Sequence, residues 1–214
     1  MEFYNKIRHK LSHRTEGFDF IFNYLKKIEN PIIVETGCAR IENNYHGDGA
    51  SSLLFDNYIN EYGGEFYTVD ISEISYNYCK NNLICPRSSI KLGDSVSYLS
   101  RLNDEFQSKN KKIDFLYLDS CDTSYSDKKI SENSARHHIY ELLSIFPSLK
   151  KGSLIGVDDN WVEITKKVTV GNSAYSVDND VCNIAGKGMY VLEYMNFLGN
   201  DPCFTGYQFF WIVK

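Results

Sequence analysis

Short β-rich runs alternate along this chain with amphipathic helical segments, and this alternation restricts the fold more than any other feature. The strand candidates are residues 31–36, 66–70, 88–92, 113–118 and 153–158. The helix candidates precede or connect these strands and are residues 17–28, 50–62, 72–83, 95–106 and 134–147. The pattern predicts a parallel sheet that is covered by helices on both faces.

Two later runs, 189–195 and 207–213, are joined by a short connection, which predicts an antiparallel pair. We therefore predict an α/β fold with a seven-stranded, mostly parallel sheet, an antiparallel C-terminal strand and helices on both faces. Residues 40–49 form a polar insertion after the first strand, and residues 160–188 have no regular pattern. Both segments are candidate loops over a site.

The 214 residues fit a single domain, because domains average ~150 residues and nothing in the composition marks a linker. We divide residues 1–214 into an N-terminal helical segment, 1–29, and a core, 30–214. The basic residues within positions 1–14 predict an amphipathic helix that lies on the surface, with its charged face in solvent.

Charge and cysteine spacing exclude several classes of protein. The formal net charge of −5 disfavours a broad nucleic-acid-binding surface, and the apolar runs fall short of the ~20 residues that span a bilayer. The six cysteines lack the paired spacing of metal sites, and no secretory signal is evident, so we expect reduced thiols in a cytoplasmic protein. The sequence leaves the oligomeric state open, including a homo-oligomer.

Each of the five predicted parallel strands ends in, or runs directly into, an acidic residue. These residues are Glu35, Asp70, Asp94, Asp119 and Asp158. Ligands of open α/β sheets bind outside the carboxyl ends of the strands, so five acids at that edge predict a functional site. A helix N-cap is the alternative explanation for any one of the middle three.

Several motifs at these strand ends resemble those of class I S-adenosylmethionine-dependent methyltransferases, over about residues 30–214. They are VETGCA (34–39), YTVD (67–70), LGDSV (92–96), FLYLDS (115–120) and GSLIGVDDN (152–160). The resemblance implies a Rossmann-like fold in which the late strand pair forms the antiparallel end of the sheet.

The same resemblance implies a cofactor site. Gly37 would let the backbone approach the methionine part of the cofactor, Asp70 would bind the ribose hydroxyls, and Asp94 with Ser95 would border the adenine. The remaining positions of the implied cofactor set are Glu35, Thr36, Ser51 and Asp119. The sequence departs from the family pattern because the 40–48 insertion separates Gly37 from the next glycine, Gly49.

The residues favour this cofactor over NAD. A dehydrogenase needs a glycine-rich G-x-G-x-x-G loop that places pyrophosphate on a helix N-terminus, and that loop is missing here. An acidic edge repels pyrophosphate but tolerates the sulfonium cation of S-adenosylmethionine.

A metal site is a second hypothesis for the same edge. Asp119 and the pair Asp158–Asp159 end strands that should be neighbours, about 4.8 Å apart, so their oxygens could converge on Mg²⁺ or Mn²⁺. The pattern resembles metal-dependent O-methyltransferases, which implies Asp119, Asp158 and Asp159 as ligands, with Asn160 as a substitute. A metal-bound hydroxyl would have a lowered pKa. The alternative is that the two aspartates only cap a turn.

Candidates for a general base and for acceptor contacts lie close to these acids. The base candidates are His138, Asp122 and Asp119, although a buried structural histidine is the alternative for His138. Aromatic side chains that could pack on a sugar or a planar ring are Trp161, Tyr125 and Tyr45.

The sequence therefore predicts an S-adenosylmethionine-dependent O-methyltransferase that acts on a small molecule, a sugar or other vicinal diol, with a divalent metal. Two alternatives stay open: an NAD-type oxidoreductase, and an inactive nucleoside-binding protein of the same fold.

Overall fold

The computed structural model describes residues 1–165, 168–170, 173–175 and 181–214, and it describes side chains outside residues 162–183. The strands are β1 (Ile32–Thr36), β2 (Glu65–Asp70), β3 (Ser88–Leu92), β4 (Ile113–Leu118), β5 (Leu149–Val157), β6 (Asn160–Thr165), β7 (Val168–Val170), β8 (Ser173–Tyr175), β9 (Val181–Gly186) and β10 (Phe209–Ile212). The helices are α1 (Glu2–Ile7), α2 (Thr15–Leu25), α3 (Tyr45–Asp48), α4 (Ser51–Tyr62), α5 (Glu73–Asn82), α6 (Ser95–Ser108), α7 (Lys128–Ile145) and α8 (Met189–Phe197).

Six strands form the main sheet, in the order β10-β5-β4-β1-β2-β3. All neighbours are parallel except β10, which runs antiparallel to β5 with Trp211 opposite Ile155. The predicted α/β class, the five parallel strands and the antiparallel C-terminal strand are confirmed. The predicted number of seven strands is wrong, because the sheet has six.

The sixth predicted strand, residues 189–195, is part of helix α8. Its buried side chains are Val191 and Met195, four positions apart, whereas Glu193 between them is exposed. This spacing is that of one helix face, and a strand would have buried alternate residues. The β-forming composition of the run misled the prediction, since packing on the core overrides propensity.

The sheet separates two cores, and neighbouring residues of its central strands serve different cores. From β4, Phe115 and Tyr117 pack with α1, α2 and α4, whereas Leu116 and Leu118 pack with α6, α7 and α8. The first core is largely aromatic, with Phe55 of α4 in contact with several rings. Many of the aromatic side chains of this chain therefore build a core.

The first 14 residues of the N-terminal segment do not form a surface helix. This part of the chain packs on the protein core instead. It forms α1 followed by two 3₁₀ turns, Arg8–Lys10 and Ser12–Arg14, and it buries Tyr4, Ile7 and Leu11 in the aromatic core. The prediction failed because two 3₁₀ turns interrupt the helix, so that the apolar residues do not lie on one face of a single helix. The second 3₁₀ turn places Arg14 next to Asp158 and Asp159, at the carboxyl end of the sheet.

Residues 160–188, predicted to be irregular, contain paired strands where the structure describes them. Strand β6 pairs antiparallel with β9, so that Asn160 lies opposite Gly186, and β7 pairs with β8. The β6–β9 pair returns the chain to the carboxyl end of β5, and Lys187 follows directly. Within the described part of the chain, no helix is long and apolar enough to cross a bilayer.

Candidate functional site

A cavity of about 380 Å³ lies at the carboxyl ends of β1, β2, β3 and β4. Its lining includes residues that follow each of these strands, among them Gly37, Asp70, Asp94, Ser95 and Asp119. Ser51, at the start of α4, also contributes. Three of the five strand-end acids that the sequence analysis singled out, Asp70, Asp94 and Asp119, therefore converge on one space, as the rule for open α/β sheets predicts.

Gly37 is essential to this convergence. Its φ is +78°, and a Cβ atom would lie 2.5 Å from the backbone carbonyl oxygen of Asp119. The Gly37 N–H donates to the carbonyl of Val69 at 2.9 Å, which ties the turn after β1 to the end of β2. Only glycine combines this conformation with this close packing.

The two acids that follow β2 and β3 line the cavity and also organise its walls. The Asp70 carboxylate accepts hydrogen bonds from the backbone N–H groups of Cys38, at 3.0 Å, and Ser72, at 2.7 Å. Asp94 caps α6 by accepting the N–H of Ser97 at 2.8 Å. The helix-cap alternative is therefore right for Asp94, but each carboxylate oxygen has a second lone pair for a ligand.

Glu35 and Thr36 lie behind the cavity. Glu35 is fully buried and accepts hydrogen bonds from Ser52 at 2.6 Å and Thr68 at 2.8 Å. Burial raises the pKa of Glu35 to about 7. Thr36 donates to the buried carboxylate of Glu141 at 3.0 Å. Both predicted residues support the turn at Gly37 and are absent from the lining of the cavity.

His137 lines the cavity, and the predicted base His138 does not. The Nε2 atom of His137 lies 2.8 Å from the Ser95 hydroxyl and 3.3 Å from Glu141. His138 is fully buried, its Nδ1 lies 2.7 Å from the Ser134 carbonyl, and burial lowers its pKa to about 4. The four-residue spacing of His137 and Glu141 on one helix face was the available signal.

Three carboxylates and two cations form what we call the charge cluster, at the ends of β4 and β5. Its members are Arg14, Asp119, Asp158, Asp159 and Lys187. Arg14 Nε lies 2.6 Å from Asp158, and Arg14 Nη2 lies 3.0 Å from Asp159. Lys187 Nζ lies 2.6 Å from Asp119 and 2.8 Å from Asp159.

The cluster is largely buried, since Asp158 is fully buried and Lys187 is 2% exposed. Burial opposes ionisation of Asp159, but Lys187 and Arg14 lower its pKa to about 2. Burial likewise opposes the charge of Lys187, but Asp119 and Asp159 raise the pKa of its ammonium group. Sequence reasoning missed both cations because neither belongs to a local motif.

The carboxylates converge as the metal hypothesis predicts, with oxygens of Asp119, Asp158 and Asp159 within 4.8 Å of one another. However, each of them already has a cationic nitrogen within 3.0 Å. An ion bound at the ~2.1 Å distance of Mg²⁺ would share its oxygens with an ammonium and a guanidinium group. The residues as arranged do not fit a divalent ion, and the metal stays an unsupported prediction.

A smaller cavity of about 200 Å³ adjoins the first, because Arg40, Asp48 and Asp119 line both. Its other walls include Arg14, Thr123, Tyr125, Asp159 and Tyr207. Asp119 therefore faces two connected spaces.

The remaining predicted residues lie at different distances from these cavities. Tyr125 lines the smaller one, and its ring packs on Trp161 with centroids 4.3 Å apart. Asp122 lines the larger cavity but is 77% exposed and pairs with Arg40 at 3.1 Å. Tyr45 packs against core residues and carries the Lys10 ammonium over its ring, away from both linings.

Backbone strain accumulates around the two cavities. Ala50, Cys121 and Asp159 adopt φ values of +52°, +43° and +53°, which L-residues rarely occupy. Such residues cost about 1–3 kcal/mol each and cluster at functional sites. At Asp159 the left-handed turn allows Asp158 and Asp159 to face the same charge cluster, although neighbouring strand residues point to opposite sides.

Neither a protein-family model nor a curated protein sequence matches this chain. Among solved structures, the glycopeptide N-methyltransferase MtfA complexed with S-adenosyl-L-methionine is 10% identical, covers 94% of both chains and has a TM-score of 0.50. The calicheamicin methyltransferase CalS11 is 16% identical over 73% of this chain and 69% of its own, with a TM-score of 0.49.

A short-chain dehydrogenase/reductase from Saccharomyces cerevisiae is 19% identical over 57% of this chain and 50% of its own, with a TM-score of 0.40. The CalS11 and dehydrogenase similarities are too weak to carry an argument, and the similarity to MtfA shows the fold alone. The chain thus has the fold of class I methyltransferases, which confirms the predicted Rossmann-like architecture.

The Arg14–Asp158 pair gives a stability prediction. Arg14→Met leaves a buried carboxylate without its counter-ion, and we expect it to lower the free energy of unfolding by about 3–5 kcal/mol in urea titrations at pH 7. Arg14→Met/Asp158→Asn should recover part of the loss, because the buried charge is gone. Arg136→Met, at an exposed pair, is the matched control and should change little. Equal losses in the single and double variants would contradict this account.

The raised pKa of Glu35 gives a pH prediction. Between about pH 4.5, the ordinary pKa of a glutamate, and about 7, the folded protein binds more protons at this residue than the unfolded chain does, so stability falls as the pH rises. Glu35→Gln cannot ionise and should remove this component, gaining up to roughly 3 kcal/mol relative to wild type by pH 8. Urea unfolding from pH 5 to 8 measures the difference. Parallel stability profiles for wild type and variant would refute it.

Proposed function

We propose that this chain binds S-adenosylmethionine in the larger cavity and catalyses transfer of its methyl group to a hydroxyl of a small molecule. The observation that carries the proposal is the charge of the cavity wall. Among the described residues, five aspartates and a single arginine line it, and no lysine does. Such a wall suits a sulfonium cation and repels the pyrophosphate of NAD.

The cavity offers a contact for each part of the cofactor. Asp70 is placed to accept hydrogen bonds from the ribose hydroxyls, since each of its two carboxylate oxygens accepts one backbone N–H and keeps a second lone pair. Asp94, Ser95 and the apolar side chain of Ile71 line the region expected for adenine. Gly37 presents bare backbone next to Asp119, where the methionine part would lie.

The smaller cavity is our proposed acceptor site. It shares Asp119 with the larger one, so an acceptor hydroxyl there would lie between this carboxylate and the cofactor. The bound cofactor supplies an electrophilic methyl group. Asp119 would accept the hydroxyl proton, and the walls would hold the oxygen in line for transfer, which supplies much of the acceleration.

The lining of the smaller cavity favours a sugar as the acceptor. The rings of Tyr125 and Tyr207 can pack on the apolar face of a pyranose, while Arg14, Thr123 and Asp159 can bind its hydroxyls. A vicinal diol would engage two of these polar groups at once. The proposal does not include a divalent metal, because each carboxylate of the charge cluster already has a cationic nitrogen within 3.0 Å.

Isothermal titration calorimetry tests the cofactor. We expect S-adenosylhomocysteine to bind wild-type protein saturably at one site, and NAD not to bind. Asp70→Ala should weaken binding roughly tenfold or more, since it removes a charged hydrogen-bond acceptor. Asp104→Ala, at an exposed position of α6, is the matched control and should bind like wild type.

Two outcomes would count against this function. Binding of NAD without S-adenosylhomocysteine would support the oxidoreductase alternative. Binding of S-adenosylhomocysteine that Asp70→Ala leaves unchanged would place the nucleoside elsewhere.

A further inference from the structure

We propose that the Lys187 ammonium group takes the place of a divalent metal in this site, and that it holds Asp119 at the junction of the two cavities. Lys187 is then a positioning residue that acts through Asp119. The part that concerns methyl transfer depends on the proposed function. The part that concerns metal binding does not.

The Lys187 ammonium group has three oxygen neighbours. Its Nζ donates to Asp119 Oδ1 at 2.6 Å and to the Asp119 backbone carbonyl at 3.2 Å, and it forms an ion pair with Asp159 Oδ2 at 2.8 Å. Two of its three protons are therefore donated to Asp119, and its charge also faces the carboxylate of Asp159. With 2% of Lys187 exposed, the group is directed at the two aspartates and not at a ligand.

The backbone builds Lys187 into this position. Its N–H donates to the Asp159 carbonyl at 3.2 Å, and the N–H of Gly188 donates to Asn160 Oδ1 at 2.7 Å. Gly186, with a φ of +95°, packs so closely that a Cβ atom would lie 2.2 Å from the Asp159 carbonyl oxygen. The backbone is thus fixed on both sides of Lys187, whereas the backbone around a surface lysine has no such contacts.

The ammonium group lies where an ion shared by Asp119 and Asp159 would have to lie. It bridges these two carboxylates, while Arg14 bridges Asp158 and Asp159. Three carboxyl groups thus meet two cationic groups before any ion arrives. Entry of a divalent cation would leave a buried ammonium group beside a metal, which like-charge repulsion opposes.

The consequence for Asp119 is a fixed orientation. Lys187 holds Oδ1, and among the described residues no group donates a hydrogen bond to Oδ2. That oxygen is left for an acceptor hydroxyl in the connected cavities. A metal would orient a carboxylate in the same way, and here a lysine does so.

Mn²⁺ titration followed by electron paramagnetic resonance tests the proposal. We expect wild-type protein to leave the signal of free Mn²⁺ unchanged. Lys187→Met should bind about one Mn²⁺ per chain, because the released oxygens of Asp119 and Asp159 then converge without a cation between them. Lys187→Arg keeps the charge and should remain like wild type. Lys111→Met is the matched control: it breaks a 2.6 Å lysine–carboxylate pair at the opposite end of the strands and should bind none.

Two results would overturn the proposal. The first is that the wild-type protein binds Mn²⁺ and that Asp159→Asn abolishes this binding. This experiment needs no lysine variant. The second is a Lys187→Met protein that is folded by circular dichroism but binds no Mn²⁺. Should Lys187→Met not fold, Lys187→Gln, which is neutral and polar, answers the same question.

The readout also separates the two proposals. S-adenosylhomocysteine binding decides the cofactor, whereas Mn²⁺ binding decides the role of Lys187 whether or not that nucleoside binds.

Discussion

Three carboxylates gathered at one buried end of a sheet need counter-charges, and this requirement shapes the site. Asp119, Asp158 and Asp159 cannot all be ionised there unless cations share the space, because an unpaired buried charge costs several kcal/mol. Arg14 and Lys187 supply those cations at distances of 2.6–3.0 Å. The network therefore connects the N-terminal turn, the ends of β4 and β5, and the return from β9.

This network explains why otherwise separate segments of the chain are needed to build one cavity wall. The 3₁₀ turn Ser12–Arg14 brings the Arg14 guanidinium group to Asp158 and Asp159 at the carboxyl end of the sheet. Gly49 lies next to Arg14, and a Cβ atom at position 49 would lie 2.7 Å from the Arg14 side chain. The β6–β9 pair returns Lys187 to the same place from the other side. Neither segment belongs to the parallel sheet, yet both determine the charge and the shape of the space at its end.

The sheet could be predicted because its information is local: short β-rich runs alternate with amphipathic helices, and an acid follows each run at the edge where the cavity lies. Arg14 and Lys187 could not, since Arg14 lies 144 positions from Asp158 in the sequence and pairing at that range leaves no local pattern. Helix α8 was missed for a related reason, because Val191 and Met195 reveal their helical spacing only against the core. The same limit applies to His138, whose burial made it structural and left the cavity to His137.

The most direct test of the account is a crystal structure of the protein grown with S-adenosylhomocysteine and Mn²⁺, with anomalous data collected for manganese. We predict the ribose at Asp70, the adenine beside Asp94, and the Lys187 ammonium between Asp119 and Asp159 with no anomalous peak among these carboxylates. A manganese peak there with Lys187 displaced, or a nucleoside bound outside the larger cavity, would contradict it.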